Sequence, residues 1–247
     1  MHLRPALADL LAYLGEMGYG DLYLRPSRAH QAPASPIQPM QERVAPLVAA
    51  PSPPLDEEGL SRVAELAALA GVAAGCTRCR LAEGRTKVVF GSGNPSAELM
   101  FVGEGPGADE DRQGLPFVGA AGELLTKIIQ AIEMTREQVY MANVVKCRPP
   151  GNRDPQPDEV AACRGYLDKQ IALVRPRAIV ALGKVAAQAL LGDDSPIGRM
   201  RGQWYQVQGI PAMVTYHPAA LLRNPALKRP TWEDMQQVRD RLRSGSL

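Results

Sequence analysis

The chain is poor in aromatics, histidine and cysteine. Phe, Trp and Tyr make up only 5% of its 247 residues, three of them phenylalanines, and there are three histidines and four cysteines. No apolar run reaches the ~18–20 residues that cross a bilayer, which excludes a membrane-spanning helix. The N-terminus "MHLRPALADLLAYLGEM" lacks the basic-then-apolar layout of a signal peptide, because Asp9 and Glu16 interrupt its leucines. The expected location is therefore cytoplasmic, where thiols stay reduced. A strong charge imbalance is also missing: the formal net charge is +2. The modest surplus sits late, with 23 of the 28 basic and 18 of the 26 acidic side chains in residues 71–247. That suits an anionic partner as well as it suits an ordinary solvated surface.

The four cysteines are Cys76, Cys79, Cys147 and Cys163. Scattered core thiols are the plain reading, but the spacing opposes it. Cys76 and Cys79 form a C-x-x-C pair, and Cys147 and Cys163 each stand beside an arginine in polar sequence. In a reducing compartment such a set reads as a metal or iron–sulfur site. Structural zinc sites usually come as two short-spaced pairs; the second pair here is split by fifteen residues, which puts iron–sulfur ahead of zinc.

Three regions follow from composition. Residues 1–24 read as a short amphipathic helical segment, a candidate handle for a protein partner. Residues 25–55 hold eight prolines and read as a linker. Residues 56–247 read as the main domain. It opens on an Ala- and Leu-rich helix leading to the first cysteine pair, then alternates strands with helices. Strands are expected at 97–103, 139–145, 177–183, "WYQV" and 211–216; helices at 122–134, 157–174, 184–192 and 231–243. Apolar strands separated by helices predict an α/β fold with a mostly parallel sheet covered on both faces. In such sheets function collects on loops at the carboxyl ends of the strands.

Three of those strand exits are unusual. The first, "VGEGPGADEDRQGLPFVGAAG", is dense in glycine but has no Gly-Lys-Ser/Thr, and Gly103-x-Gly105-x-Gly107 fails the dinucleotide fingerprint. Glycine at this density lets backbone approach a flat ligand. Asp109, Glu110 and Asp111 could hold a metal, though a capped, solvated turn is the commoner use of such a run. Phe117 is either core or a stacking platform. The second exit, "NVVKCRPPGNRDP", places Asn143 inside an apolar strand, where an amide is costly unless paired. Asn143 either satisfies a loop or reads a base edge with its donor and acceptor. The third, "TYHPAALLRNP", brings a strand to His217, which Pro218 holds extended. Leu221, Leu222 and Arg223 follow as a short apolar tip beside a cation. Such a tip serves either core contacts or entry into a base stack, with the arginine on phosphate.

With "GEGPGADED", "LPFVGAAG", "NVVKCRPPGNRDP", "HPAALLR" and the cysteine order in hand, the sequence resembles the family 4 uracil-DNA glycosylases, the iron–sulfur type, over roughly residues 70–243. The resemblance implies a three-layer α/β/α sandwich around a four-stranded mostly parallel sheet. It implies a 4Fe–4S cluster on Cys76, Cys79, Cys147 and Cys163. The implied reaction is hydrolysis of the N-glycosidic bond of deoxyuridine in single- or double-stranded DNA by a monomer working at the nucleoid. Carried over by motif, Gly103 belongs to the substrate pocket, and Glu104 and Gly105 line its water side. Phe117 stacks on the flipped base, Asn143 reads its N3/O4 edge and His217 approaches O2. Glu110 fixes the first motif, and Leu221, Leu222 and Arg223 enter the DNA. Gly105 stands where family 1 enzymes carry an aspartate, so the resemblance leaves the water-activating group open. A related group trapped covalently on its DNA has a histidine-bearing insert after the first motif; "DRQGLPFVGAAGELL" runs on without it. Two other readings stay open at this level: a non-catalytic DNA- or polymerase-associated module of the same fold, and a zinc-stapled nucleotide-binding protein.

Overall fold

The computed structural model describes residues 56–245; the helical segment expected at 1–24 and the Pro-rich stretch 25–55 lie outside them. Helix α1 (Glu57–Ala74) begins with Glu57 and Glu58, acidic side chains that favour the positive end of the helix dipole. After the short helix α2 (Leu81–Gly84) come strands β1 (Ser92–Gly93) and β2 (Leu99–Gly103). Helices α3 (Ala108–Gln113) and α4 (Ala120–Ala131) lead to β3 (Tyr140–Asn143). A 3₁₀ turn at Pro150–Asn152 precedes α5 (Pro157–Val174), β4 (Ala178–Leu182), α6 (Lys184–Leu191) and α7 (Ile197–Met200). The chain closes with β5 (Trp204–Val207), β6 (Ile210–Thr215), α8 (Pro218–Arg223), a second 3₁₀ turn and α9 (Lys228–Ser244).

The six strands form one sheet in the order β1-β3-β2-β4-β6-β5. The inner four are parallel, and β1 and β5 pair antiparallel at the edges. The expected four-stranded parallel core is therefore present, extended at both sides. Strand β5 matches the expectation from "WYQV". Strand β1 was not expected, because Ser92 and Gly93 carry no strand signal and are held only by pairing with Met141 and Tyr140.

Strands β2 and β4 are buried at every position, as continuous apolar runs in a two-sided sheet must be. Alternate residues feed two cores. Met100, Val102, Ala142, Ile179, Ala181 and Val214 pack with Leu66 of α1, Leu167 and Ile171 of α5, and Ala186 and Leu190 of α6. Leu99, Phe101, Met141, Val180, Leu182 and Met213 pack with Leu125 and Ile129 of α4, Leu221 of α8, and Met235 and Val238 of α9. This is the three-layer α/β/α sandwich. Helix α5 occupies the expected residues 157–174, with Pro157 in its first turn and Glu159 closing a capping box. Among the described residues no helix is long and apolar enough to cross a membrane.

The register sets the site. Gly103 is paired with Asn143, and Leu182 with Thr215. The carboxyl ends of all four parallel strands therefore finish side by side, and the three unusual exits leave from one edge of the sheet.

Candidate active site

A cleft of about 450 Å³ opens at those strand ends, lined by Glu104, Gly105, Phe117, Asn143, Asp154, His217 and Arg223 among others. Of the residues expected to form a pocket, Glu104, Gly105, Glu110, Phe117, Asn143 and His217 come together here from three separate strand exits. Gly103 lies beneath them: a Cβ there would stand 2.5 Å from Asn143 Oδ1 and 2.6 Å from Phe117 Cζ. Only glycine lets β2 finish between these two side chains. Gly105 lines the cleft itself, where a Cβ would meet Val145 Cγ2 at 2.8 Å.

Asn143 is buried, at 2% exposure, and its Oδ1 has no hydrogen-bond partner. A buried acceptor left unpaired costs about 1–3 kcal/mol, and here it belongs to a residue of the cleft wall. The alternative that Asn143 merely satisfies its own loop does not hold for this oxygen.

His217 leaves β6 in extended conformation (φ −69°, ψ 138°) and caps α8, where its Nδ1 accepts the Ala219 N–H at 3.1 Å. With Nδ1 an acceptor, the ring proton sits on Nε2. The residue keeps some exposure to the cleft, yet enough protein surrounds the imidazole that burial, reinforced by Arg223, pushes its pKa down to about 4 against the pull of Glu110. The ring is neutral at physiological pH and still a donor. Its approach to the sheet needs Gly183 (φ +91°), where a Cβ would stand 2.9 Å from His217 Cβ. One residue upstream of Tyr216, Thr215 donates to Asp234 Oδ2 at 2.6 Å, and Arg201 pairs with the same carboxylate. This buried knot pins the end of β6.

The Phe117 ring stands 6.1 Å from the His217 ring, tilted by 32°. Phe117 has φ 55°, a conformation few non-glycine residues adopt. Glu110 holds it there: Oε1 accepts the Val118 and Gly119 N–H groups at 3.0 and 3.1 Å, and Oε2 accepts the Gly107 N–H at 3.1 Å. Glu110 thus ties the Gly107 end of the first motif to the Val118–Gly119 turn. The acidic trio does not converge. Asp109 pairs with Arg112, and buried Asp111 accepts the Thr86 and Lys87 N–H groups. A shared metal on these three is ruled out by where their side chains point.

Glu104 lies on the cleft wall with its pKa pushed up to about 7, by burial first and by the negative charge of Asp154 second; Arg223 opposes both. Asp154 was not anticipated from sequence. It belongs to the "NRDP" segment, and only folding brings that loop over the first motif.

The apolar tip needs correction. Residues 221–223 do not form a loop tip but end helix α8. Leu221 is fully buried against the α4 side of the core and cannot enter DNA. Leu222 is 48% exposed, and Arg223 lines the cleft rather than standing outside it.

A second cavity lies beside the first, lined by Cys76, Cys79, Cys147 and Cys163 together with Arg78, Arg85 and Tyr166. All four thiols are free. Two sulfurs have N–H donors aimed at them: Arg85 Nη1 to Cys147 at 3.4 Å and the Lys146 amide to Cys163 at 3.3 Å. Such donors suit anionic sulfur. Among the described residues no three His, Cys, Asp or Glu side chains close on a point as a single-ion site requires. The donor set, four thiols around one cavity, fits a cluster.

Comparison with known proteins points to one superfamily. The family model described as "Uracil DNA glycosylase superfamily" matches residues 90–236. The chain is 48% identical over 174 residues to a type-4 uracil-DNA glycosylase of Sulfurisphaera tokodaii, covering 67% of this chain and 79% of that one. Pyrobaculum aerophilum supplies two relatives. Its type-4 uracil-DNA glycosylase is 44% identical over 168 residues (65% of this chain, 86% of that one). Its type-5 enzyme is 31% identical over 163 residues (59% and 71%).

Proposed function

The chain belongs to the uracil DNA glycosylase superfamily, and from that premise we propose how its own residues excise uracil from DNA. The reaction is hydrolysis of the C1′–N1 bond of deoxyuridine, leaving an abasic site in base excision repair. The observation that carries the reading is the unpaired, buried Asn143 Oδ1 in a cleft shared with a neutral, donating His217.

A base inside a duplex is out of reach, so it is flipped out at a cost of a few kcal/mol. Leu222, exposed at the end of α8, fills the gap left in the stack. Uracil then lies against Phe117, its N3–H meeting Asn143 Oδ1. As the C1′–N1 bond breaks, its electron pair goes to the base and spreads onto O2 and O4. The His217 Nε2–H donates to O2 and stabilises that charge as it forms, which a neutral imidazole does without surrendering its proton. Water adds to C1′ and its proton passes to the Glu104 carboxylate. A pKa near 7 suits that task, since a base poised near the working pH combines availability with driving force. Arg223 opposes the upward push on the Glu104 pKa and meets the phosphate backbone.

Cys76, Cys79, Cys147 and Cys163 hold an iron–sulfur cluster, whose contribution when bound is to staple the loops around the cleft. Residues 56–247 form the working domain, in keeping with the compact unit that begins at Glu57. A labelled oligonucleotide with one uracil, incubated with the protein and then treated with alkali, should be cut at the uracil. No cutting above control in U:G, U:A and single-stranded contexts overturns the proposal.

A further inference from the structure

Lys146 lines the thiol cavity, three residues beyond Asn143 of the cleft wall, and has no part in the chemistry above. It is only 2% exposed. Its Nζ donates to the backbone carbonyl of Asn143 at 2.7 Å and to Oε1 of Gln170 on α5. Gln170 is itself fully buried; its Nε2 donates to the Phe90 carbonyl at 2.9 Å and to Tyr140 Oη at 3.2 Å. The Lys146 backbone amide faces Cys163 Sγ, and the next residue is Cys147. Two amide carbonyls, and no carboxylate, thus receive the Lys146 amino group. That is an expensive way to fill a core, and a methionine of similar length would pack there without it. What the Nζ donor adds is a fixed position for the Asn143 carbonyl, the last of β3, just where the strand ladder gives way to loop.

We propose that Lys146 is a positioning residue for base recognition: through the Asn143 carbonyl it ties the amide that meets the base to α5 and to the thiol-bearing loop. The inference rests on the reading of Asn143 given above. Moving a reading group by an ångström can cost about a hundredfold in rate, so a partial loss of this tether should cost about tenfold or more.

The test compares full-length wild type, Lys146→Met, Asn143→Ala and the double variant in single-turnover excision, with iron content and hydrogen exchange measured on each. Lys146→Met should retain its iron and its affinity for uracil-containing DNA. Its excision rate should fall about tenfold or more, and exchange should quicken in the peptide spanning 140–148. In the Asn143→Ala background the same change should cost nothing further, because it acts through Asn143. A lysine that only stabilises the fold would leave the rate alone well below the melting temperature, or cost the same in both backgrounds; either result overturns the proposal. Should Lys146→Met fail to fold, Gln170→Met, which removes the other acceptor, takes its place in every measurement, with the same losses expected and the same results overturning the tether. If the wild type excises no uracil, the functional reading falls; unchanged exchange at 140–148 in Lys146→Met overturns the tether independently.

Discussion

At the scale of the residue, two titratable groups divide the proposed chemistry. His217 is pushed down to about 4 and Glu104 up to about 7, each chiefly by burial, which disfavours the charged form of either. His217→Ala should lower excision about 10²–10³-fold, with binding to an uncleavable duplex nearly unchanged in a gel-shift titration. In the proposed mechanism Glu104 works as a carboxylate, so kcat/KM should fall as pH drops through about 7 and the fall should vanish in Glu104→Gln. The stability effect has the opposite sense. A raised folded pKa means the native state holds a proton that the unfolded chain has lost between pH 4.5 and 7, so wild type loses stability as pH rises across that window. Glu104→Gln should therefore melt higher than wild type above pH 7 while excising less; equal melting temperatures there would count against a burdened carboxylate. The sequence pointed to His217 and Asn143 but not to this tuning. Asp154 and Arg223 act on Glu104 from a separate loop and from the end of α8, and charge at a distance leaves no mark on local sequence.

At the scale of the element, α8 separates two adjacent leucines that look equivalent in the sequence. Helical geometry turns Leu221 into the core and Leu222 out to solvent, a quarter-turn apart. Leu221→Ala should cost about 2–5 kcal/mol in denaturant unfolding, as a buried truncation does. Leu222→Ala should leave stability unchanged and lower excision from duplex more than from single-stranded DNA, where no stack has to be opened. A duplex-to-single-strand ratio that does not change would remove Leu222 from the wedge role. The Phe117 loop is the other element that matters. Its left-handed residue is held by Glu110, which takes three backbone N–H groups. Glu110→Ala should destabilise the protein by about 2 kcal/mol and slow excision by loosening the stacking ring, a loss readable as reduced kcat at saturating DNA. Helices α1 and α5 and the inner strands were legible from their apolar period and caps. Helix α8 was not, because a six-residue helix opened by His-Pro carries too little periodicity to distinguish it from a loop.

At the scale of the whole molecule, the thiol cavity and the cleft share one loop, the one running from Asn143 through Cys147. Loss of the proposed cluster should therefore be felt at the cleft. Cys147→Ser should reduce bound iron, measured on the purified protein, and lower both melting temperature and excision; full iron in that variant would remove Cys147 from the ligand set. A chain beginning at Asp56 should excise uracil as the full chain does, assayed on the same oligonucleotide. The sequence by itself determined the alternation of apolar strands and amphipathic helices, and hence a sheet covered on both faces. It also determined the inventory of chemistry, with rare residues set at strand exits and four cysteines, two of them in a C-x-x-C pair. Both are local properties, written in hydrophobic period and residue type. Only the tertiary structure decided which of these groups meet. The register that pairs Gly103 with Asn143 and Leu182 with Thr215 brings the exits level. Burial at that edge then sets the Asn143 oxygen unpaired, the His217 ring neutral and Leu221 inside. These depend on contacts between segments tens of residues apart, which no single stretch of chain specifies.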